Sequence, residues 1–156
     1  MPRPAPWRLD PARYPHRLAI QTRFQDLDVL GHLNNVAFAA LFETARTRFN
    51  REAELWGERF SGRRAVVAAQ EIHYLAEGSY PEDVEVATGI GDIGNLSWSI
   101  LAAMFQGGRA IATCDVVIVM DKGEAGAGMP DAFRARLAEF RVRQPSPLPS
   151  GEGQAA

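Results

Sequence analysis

Cysteine is almost missing from this 156-residue chain, whose single one is Cys114, so no internal disulfide can form. The chain also lacks a run of about 18 apolar residues and the apolar centre of a signal peptide, so we expect a cytoplasmic protein with no membrane partner. A formal net charge of −2 gives no broad attraction to nucleic acid, and no such partner is expected. A glycine-rich phosphate loop is absent as well, so no nucleotide cofactor is predicted.

Residues for metal or nucleophilic chemistry are equally sparse. The three histidines, His16, His32 and His73, show neither the spacing of metal ligands nor support from neighbouring cysteines, so the sequence predicts no metal site. Cys114 lies among strand-forming residues without an adjacent histidine, which favours a buried, inert thiol over a nucleophile. No serine lies in a nucleophile-elbow motif, the tight turn between a strand and a helix that carries the catalytic serine, which argues against a Ser-His-Asp hydrolase.

What the chain does contain is enough apolar sequence for one core, since 46% of its residues are hydrophobic. The proline-rich residues 1–15 are predicted to form an irregular N-terminal segment, and residues 16–140 a single folded domain. Residues 141–156 are polar and again rich in proline, which predicts a disordered tail.

The apolar pattern predicts both strands and a long helix. Alternation predicts a strand over 17–24, and apolar residues that recur at spacings of three and four from 38 to 56 predict a long helix that ends at Gly57. The rest of the domain is typical of four strands and a short terminal helix, at 65–74, 84–92, 96–105, 109–120 and 131–140. Short turns join antiparallel neighbours, so the pattern favours an α+β fold in which one helix lies across an antiparallel sheet.

The most informative segment lies between the first strand and the long helix, where the sequence reads D-L-D-V-L-G-H-L-N-N from Asp26 to Asn35. Two acids stand in a turn, and Asn34 or Asn35 is placed to cap the helix start. The first N–H groups of a helix have no partner within it, so they can bind the oxygen of a polarised carbonyl. A nearby carboxylate can act on the carbon as base or nucleophile, and the combination predicts acyl transfer.

This segment, together with the helix after it, resembles the 4-hydroxybenzoyl-CoA thioesterase family of acyl-CoA thioesterases. The family signature D-x-D-x-x-G-H-x-N-N is present without a gap. The resemblance implies the hot-dog fold, a five-stranded antiparallel sheet wrapped around one long helix. It also implies hydrolysis of an acyl thioester of coenzyme A or of an acyl carrier protein, with coenzyme A as part of the substrate and no other cofactor. A homodimer or homotetramer is expected, with sheets joined edge to edge.

The same resemblance implies roles for individual residues. Asp28, the second acid of the signature, is implied to be the catalytic carboxylate, the alternative being that it only caps the turn by accepting backbone N–H groups. Asp26 is expected to hold the turn. Asn35 is implied to offer its backbone N–H to the thioester oxygen, and Gly31 to let the substrate approach the backbone closely.

His32 and Glu43 are counted as substrate-binding residues, and each keeps a second interpretation. His32 either touches the acyl group or assists a water, or it only bonds to Asp26 or Asp28. Glu43 is either a second acid, as in another branch of hot-dog thioesterases, or the partner of Arg46 in an ion pair three residues apart.

Two other functions stay open at this point. One is hydration or dehydration of an acyl thioester, in which His32 would be a base paired with an acid. The other is acyl-CoA binding without catalysis. For the phosphates of coenzyme A, the sequence offers Arg63, Arg64 and Arg109 as candidates.

Overall fold

The structure, a computed structural model, describes residues 2–56 and 62–147. Its five strands are β1 (His16–Ile20), β2 (Ala65–Tyr74), β3 (Val84–Ile93), β4 (Ser97–Gln106) and β5 (Arg109–Met120). They form one antiparallel sheet in the order β1-β3-β4-β5-β2. Two helices accompany the sheet, α1 (Asn35–Glu52) and α2 (Asp131–Glu139). The predicted α+β architecture with a five-stranded antiparallel sheet is confirmed.

Helix α1 lies against one side of the sheet because its apolar residues recur every three or four positions. Its buried residues are Ala37, Phe38, Leu41, Phe42, Ala45 and Phe49. They share a core with alternate residues of β3 and β4, namely Val84, Val86, Ile90, Trp98, Ile100, Ala102 and Met104. These strand residues alternate along the sequence because successive side chains of a strand point to opposite sides of the sheet. Within the described residues, no helix is long and apolar enough to cross a membrane.

The opposite side of the sheet carries a smaller core that the N-terminal segment covers. Its buried residues are Tyr14, Ala87, Leu101, Ala103, Phe105 and Val142. Arg8 is only 7% exposed, and its guanidinium donates to the Asp115 carboxylate at 2.6 Å and to the Tyr14 hydroxyl at 3.0 Å. The segment contains two short 3₁₀ turns, and this buried arginine anchors it to the sheet.

The first strand is shorter than the sequence predicts. β1 ends at Ile20, and the next residues form a 3₁₀ turn at Phe24–Asp26. Phe24, the last residue of the predicted strand, is 74% exposed. The apolar alternation of the sequence continues to Phe24, but the chain leaves the sheet after Ile20 and turns at Phe24–Asp26. The alternation therefore does not mark the end of the strand.

The end of α1 and the C-terminal end of the domain also differ from the prediction. Helix α1 ends at Glu52, and Glu54 takes the left-handed conformation with φ of 56°. The Leu55 N–H closes the helix end on the Asn50 carbonyl at 2.8 Å, and the predicted stop at Gly57 lies outside the described residues. The folded part continues past residue 140, since the Val142 N–H donates to the Ile90 carbonyl at 2.9 Å. Residues 148–156 of the predicted tail lie outside the described residues.

Candidate active site

A tight loop brings the acids of the signature to the start of α1. Leu27 and Leu33 pair as an isolated antiparallel bridge, and the Asp28 N–H donates to the His32 carbonyl at 2.8 Å. Gly31 makes the reversal possible because it takes a φ of +80°, which glycine adopts without steric cost. The loop therefore places Asp28 directly opposite His32, one turn before the helix.

Asp28 uses one carboxylate oxygen to hold this loop. Its Oδ1 accepts the Leu30 N–H at 2.9 Å and the His32 N–H at 3.2 Å. Its Oδ2 has no hydrogen-bond donor among the described residues, and the residue is exposed. The capping interpretation is thus realised by one oxygen, while the other is available to a substrate.

Asp26 has the opposite environment, because it is 4% exposed. It accepts the Arg23 backbone N–H at 2.9 Å and the Arg23 guanidinium at 2.8 Å. Burial alone would raise the pKa of Asp26, but the hydrogen bonds and charge of Arg23 outweigh burial and lower that pKa below its usual value. The Asp26 carbonyl also accepts the Asn34 N–H at 2.8 Å, so Asp26 holds the turn, as predicted.

The start of α1 presents free backbone donors. Asn34 is the N-cap, and its Oδ1 accepts the Ala37 N–H at 2.8 Å. The N–H groups of Asn35 and Val36 have no acceptor among the described residues, as expected for the first residues of a helix. The free Asp28 oxygen and these N–H groups belong to the same short segment, which is an arrangement suited to a polarised carbonyl.

His32 pairs with a residue that the sequence analysis missed. Its Nε2 lies 3.1 Å from the Glu77 carboxylate, and neither Asp26 nor Asp28 binds the ring. Glu77 comes from the loop after β2, where the Gly78 carbonyl accepts the Leu33 N–H at 2.9 Å. The sequence marked this loop only as a turn, since no local pattern shows that two loops 45 residues apart meet.

Glu43 is exposed on α1, with its carboxylate 3.8 Å from Arg46. This is the ion pair that the sequence analysis weighed against a second catalytic acid. Arg46 itself is more closely bound to Gln70, at 3.3 Å.

The contacts of Arg63 and the burial of Cys114 argue against a role for either residue in substrate binding or catalysis. Arg63 donates to the backbone carbonyls of Asp121, Ala127 and Gly128, so its guanidinium is occupied in holding a loop and is a poor phosphate ligand. Burial raises the pKa of the Cys114 thiol to about 12, so the thiol stays protonated near neutral pH. Within the described ranges, no three His, Cys, Asp or Glu side chains group to hold a metal ion.

Apolar side chains surround the loop and point to solvent. They are Phe24 at 74% exposure, Val29 at 102%, Leu30 at 77% and Val36 at 75%. Single exposed apolar residues are ordinary, but four of them around one loop mark this patch as a candidate contact surface.

Comparisons with known proteins identify the family. The sequence matches the thioesterase-like superfamily over residues 22–137, and the chain belongs to that superfamily. The resemblance found in the signature is thereby confirmed. No curated protein matches the sequence.

Solved structures agree with this assignment. A Thermus thermophilus thioesterase complexed with coenzyme A and Zn is 31% identical, with a TM-score of 0.71 over 84% of this chain and 98% of that one. A predicted thioesterase from Bacillus stearothermophilus is 32% identical, with a TM-score of 0.68 over 83% and 97%. A Pseudomonas aeruginosa protein is 27% identical, with a TM-score of 0.70 over 84% and 94%.

Proposed function

We propose that this protein is an acyl-CoA thioesterase that hydrolyses R–CO–S–CoA to the free acid and coenzyme A. The observation that carries the proposal is the Asp28 carboxylate, whose Oδ2 is free and whose Oδ1 fixes the loop beside the free N–H groups of α1. Family membership and the coenzyme A complex of the Thermus thioesterase support the substrate class.

In the proposed reaction the thioester oxygen accepts the Asn35 backbone N–H, which draws electrons from the carbonyl carbon. Asp28 then acts in one of two ways. As a base it takes a proton from water while the oxygen of that water attacks the carbon, the C–S bond breaks and the proton passes to the thiolate. As a nucleophile it attacks the carbon itself and expels the thiolate, and water then cleaves the acyl-aspartate.

Gly31, His32 and Glu43 complete the proposed substrate site. Gly31 leaves open space where a side chain would stand, since a Cβ there would meet no atom within 4 Å. His32 borders the thioester with its ring held by Glu77. Glu43 lies further along α1, and its exposed carboxylate suits a polar part of the substrate better than the acyl chain.

A second copy of the chain is part of the proposal. Val29 and Leu30 next to Asp28 are exposed in a single chain, and an acyl group needs apolar walls. A homodimer or homotetramer would supply these walls and cover the patch around the loop.

Release of free thiol from a panel of acyl-CoA esters tests the proposal, and the panel would identify the acyl group. Thiol release at rates above those of a denatured control is expected for at least one ester. Coenzyme A binding without any thiol release would overturn the thioesterase assignment and leave a binding protein.

The hydratase alternative is favoured by one observation, the pairing of His32 with Glu77 at 3.1 Å, because a histidine paired with an acid is what such a base requires. An enoyl-CoA ester separates the two functions. Hydration removes the absorbance of the conjugated double bond without releasing thiol, whereas hydrolysis releases thiol.

A further inference from the structure

A cleft with an apolar floor lies between the N-terminal segment and the sheet. Its volume is about 580 Å³, which is large enough for a nucleotide-sized ligand. The floor is formed by Pro4, Pro6, Leu9, Leu75 and Ala110. Prolines and aliphatic side chains of this kind offer a flat surface to a purine ring.

Two arginines line the same cleft, Arg3 from the N-terminal segment and Arg109 from the start of β5. Both are exposed, and neither makes an ion pair or a side-chain hydrogen bond with another described residue. Arginine matches phosphate oxygens with two parallel N–H donors, and these guanidinium groups have all their donors free. An apolar floor with two unpaired arginines fits a ligand that combines a flat ring with phosphates.

The cleft lies at the end of the sheet that carries the signature loop. Leu75 of its floor precedes Gly78 by three residues, and the Gly78 carbonyl binds the Leu33 N–H at 2.9 Å. The Leu75 N–H donates to the Ile111 carbonyl at 2.9 Å, next to Ala110 of the floor. The cleft lies on the side of the sheet away from α1, so a ligand with phosphates in the cleft would reach Asp28 with an extended arm that passes around this end of the sheet.

We propose that this cleft binds the phosphorylated nucleotide end of coenzyme A, with Arg3 and Arg109 on the phosphates and the purine on the apolar floor. The inference rests on the proposed function, which makes acyl-CoA the substrate.

Five of the eight residues that line this cleft precede the region that matches the family, which begins at residue 22. The part of the N-terminal segment that supplies Arg3 is held in place by Arg8, which is buried against Asp115 and Tyr14. The cleft thus gives the anchored segment a function, which is to complete a nucleotide site on the sheet.

The test compares Arg3→Ala, Arg109→Ala and the double variant with wild type on two substrates that share one acyl group. One is the acyl-CoA ester and the other is the N-acetylcysteamine thioester, which lacks the nucleotide. Each single variant is expected to raise KM for acyl-CoA about tenfold, since a charge-assisted phosphate contact is lost, and to leave kcat and the short thioester unchanged. Arg109→Lys should restore part of the affinity because it keeps the charge.

Arg51→Ala is the matched control, because Arg51 is an exposed arginine in the last turn of α1, far along the helix from the signature loop. It removes the same charge and should leave KM unchanged. Equal KM effects from Arg51→Ala, or equal effects on both substrates, would overturn the site.

Calorimetric titration with adenosine 3′,5′-bisphosphate separates this inference from the proposed function, because it needs no hydrolysis. Binding by wild type that weakens about tenfold in Arg3→Ala and Arg109→Ala supports the cleft even in a protein that cleaves no thioester. Thioester hydrolysis with unchanged bisphosphate binding in the variants would keep the thioesterase and reject the cleft. A phosphopantetheine carrier as the preferred substrate, with no binding of the bisphosphate, would also reject it.

Discussion

One carboxylate oxygen of Asp28 holds the loop and the other is proposed to act on the substrate. A substitution at Asp28 can separate the structural role from the catalytic role. Asp28→Asn keeps an acceptor for the Leu30 and His32 N–H groups but removes the charge. We expect kcat for thioester hydrolysis to fall a hundredfold or more, on the order of 3 kcal/mol of barrier, with little change in melting temperature. Steady-state kinetics on the best ester tests this. A near-normal kcat would remove Asp28 from the mechanism and make Glu43 the next acid to test.

Asp26 is the paired control, because its carboxylate serves the fold. In Asp26→Asn, one amide N–H group would face the donors of Arg23, and we expect a loss of about 1.5–3 kcal/mol in the free energy of unfolding at pH 7. Urea unfolding at several pH values measures this difference.

The pH dependence of that loss follows from the lowered pKa of Asp26. A carboxyl whose pKa is lower in the folded state stabilises the fold fully above its unfolded value, near 3.9, and loses this contribution as the pH falls through the folded value. The stability gap between wild type and Asp26→Asn should therefore be widest at neutral pH and shrink below about pH 4. A gap that stays constant from pH 7 to pH 3 would contradict the ionised role of Asp26.

Among the elements, the N-terminal segment depends most on a single contact. Arg8→Ala leaves the Tyr14 hydroxyl and the Asp115 carboxylate without their arginine donor, and Tyr14 is 4% exposed. We expect a loss of about 2–3 kcal/mol in the free energy of unfolding, because the buried Arg8 side chain and its bond to the buried Tyr14 hydroxyl are lost, together with a pair to the half-exposed Asp115. Arg13→Ala is the control and should cost far less, because its pair with the half-exposed Asp10 spans 3.6 Å and its hydrogen bond to the Arg143 carbonyl, at 3.0 Å, is exposed.

Sequence patterns located the elements better than their ends. The predicted strands at 65–74 and 109–120 coincide with β2 and β5, because strand alternation and short turns between strands are both local signals. The end of α1 was placed too late because Glu54, a residue with no special preference for it, takes the left-handed conformation that glycine usually supplies.

For the whole molecule we predict a homo-oligomer. Strand β2 is an edge of the sheet, and Val66, Val67 and Tyr74 on it are each about half exposed. A long exposed edge with apolar residues tends to pair, and self-pairing is the common solution. Light scattering should return at least twice the chain mass of 17.1 kDa at micromolar concentration.

Val67→Lys is the matched variant for this prediction, since a charge on an edge strand opposes pairing. It should shift the protein towards the chain mass and reduce hydrolysis, if the partner supplies part of the acyl site. A wild-type protein of chain mass that is fully active would contradict the role given to a second copy.

The sequence by itself determined the class of fold, the family and the loop of the candidate site. Strand alternation, helical spacing and the D-x-D-x-x-G-H-x-N-N signature are local patterns, and local patterns can be read along a chain. Asp26 in its turn-holding role and Asn34 as a cap belong to this group, because each acts on residues only a few positions away.

The tertiary structure alone decided which distant residues meet. The pairing of His32 with Glu77, the occupation of Arg63 by backbone carbonyls and the burial of Arg8 all join residues that are 45 or more positions apart. Such contacts depend on the order of the strands in the sheet, and the spacing of residues along the sequence does not predict that order. The cleft between Arg3 and Arg109 also joins distant parts of the chain, because the N-terminal segment lies beside the start of β5.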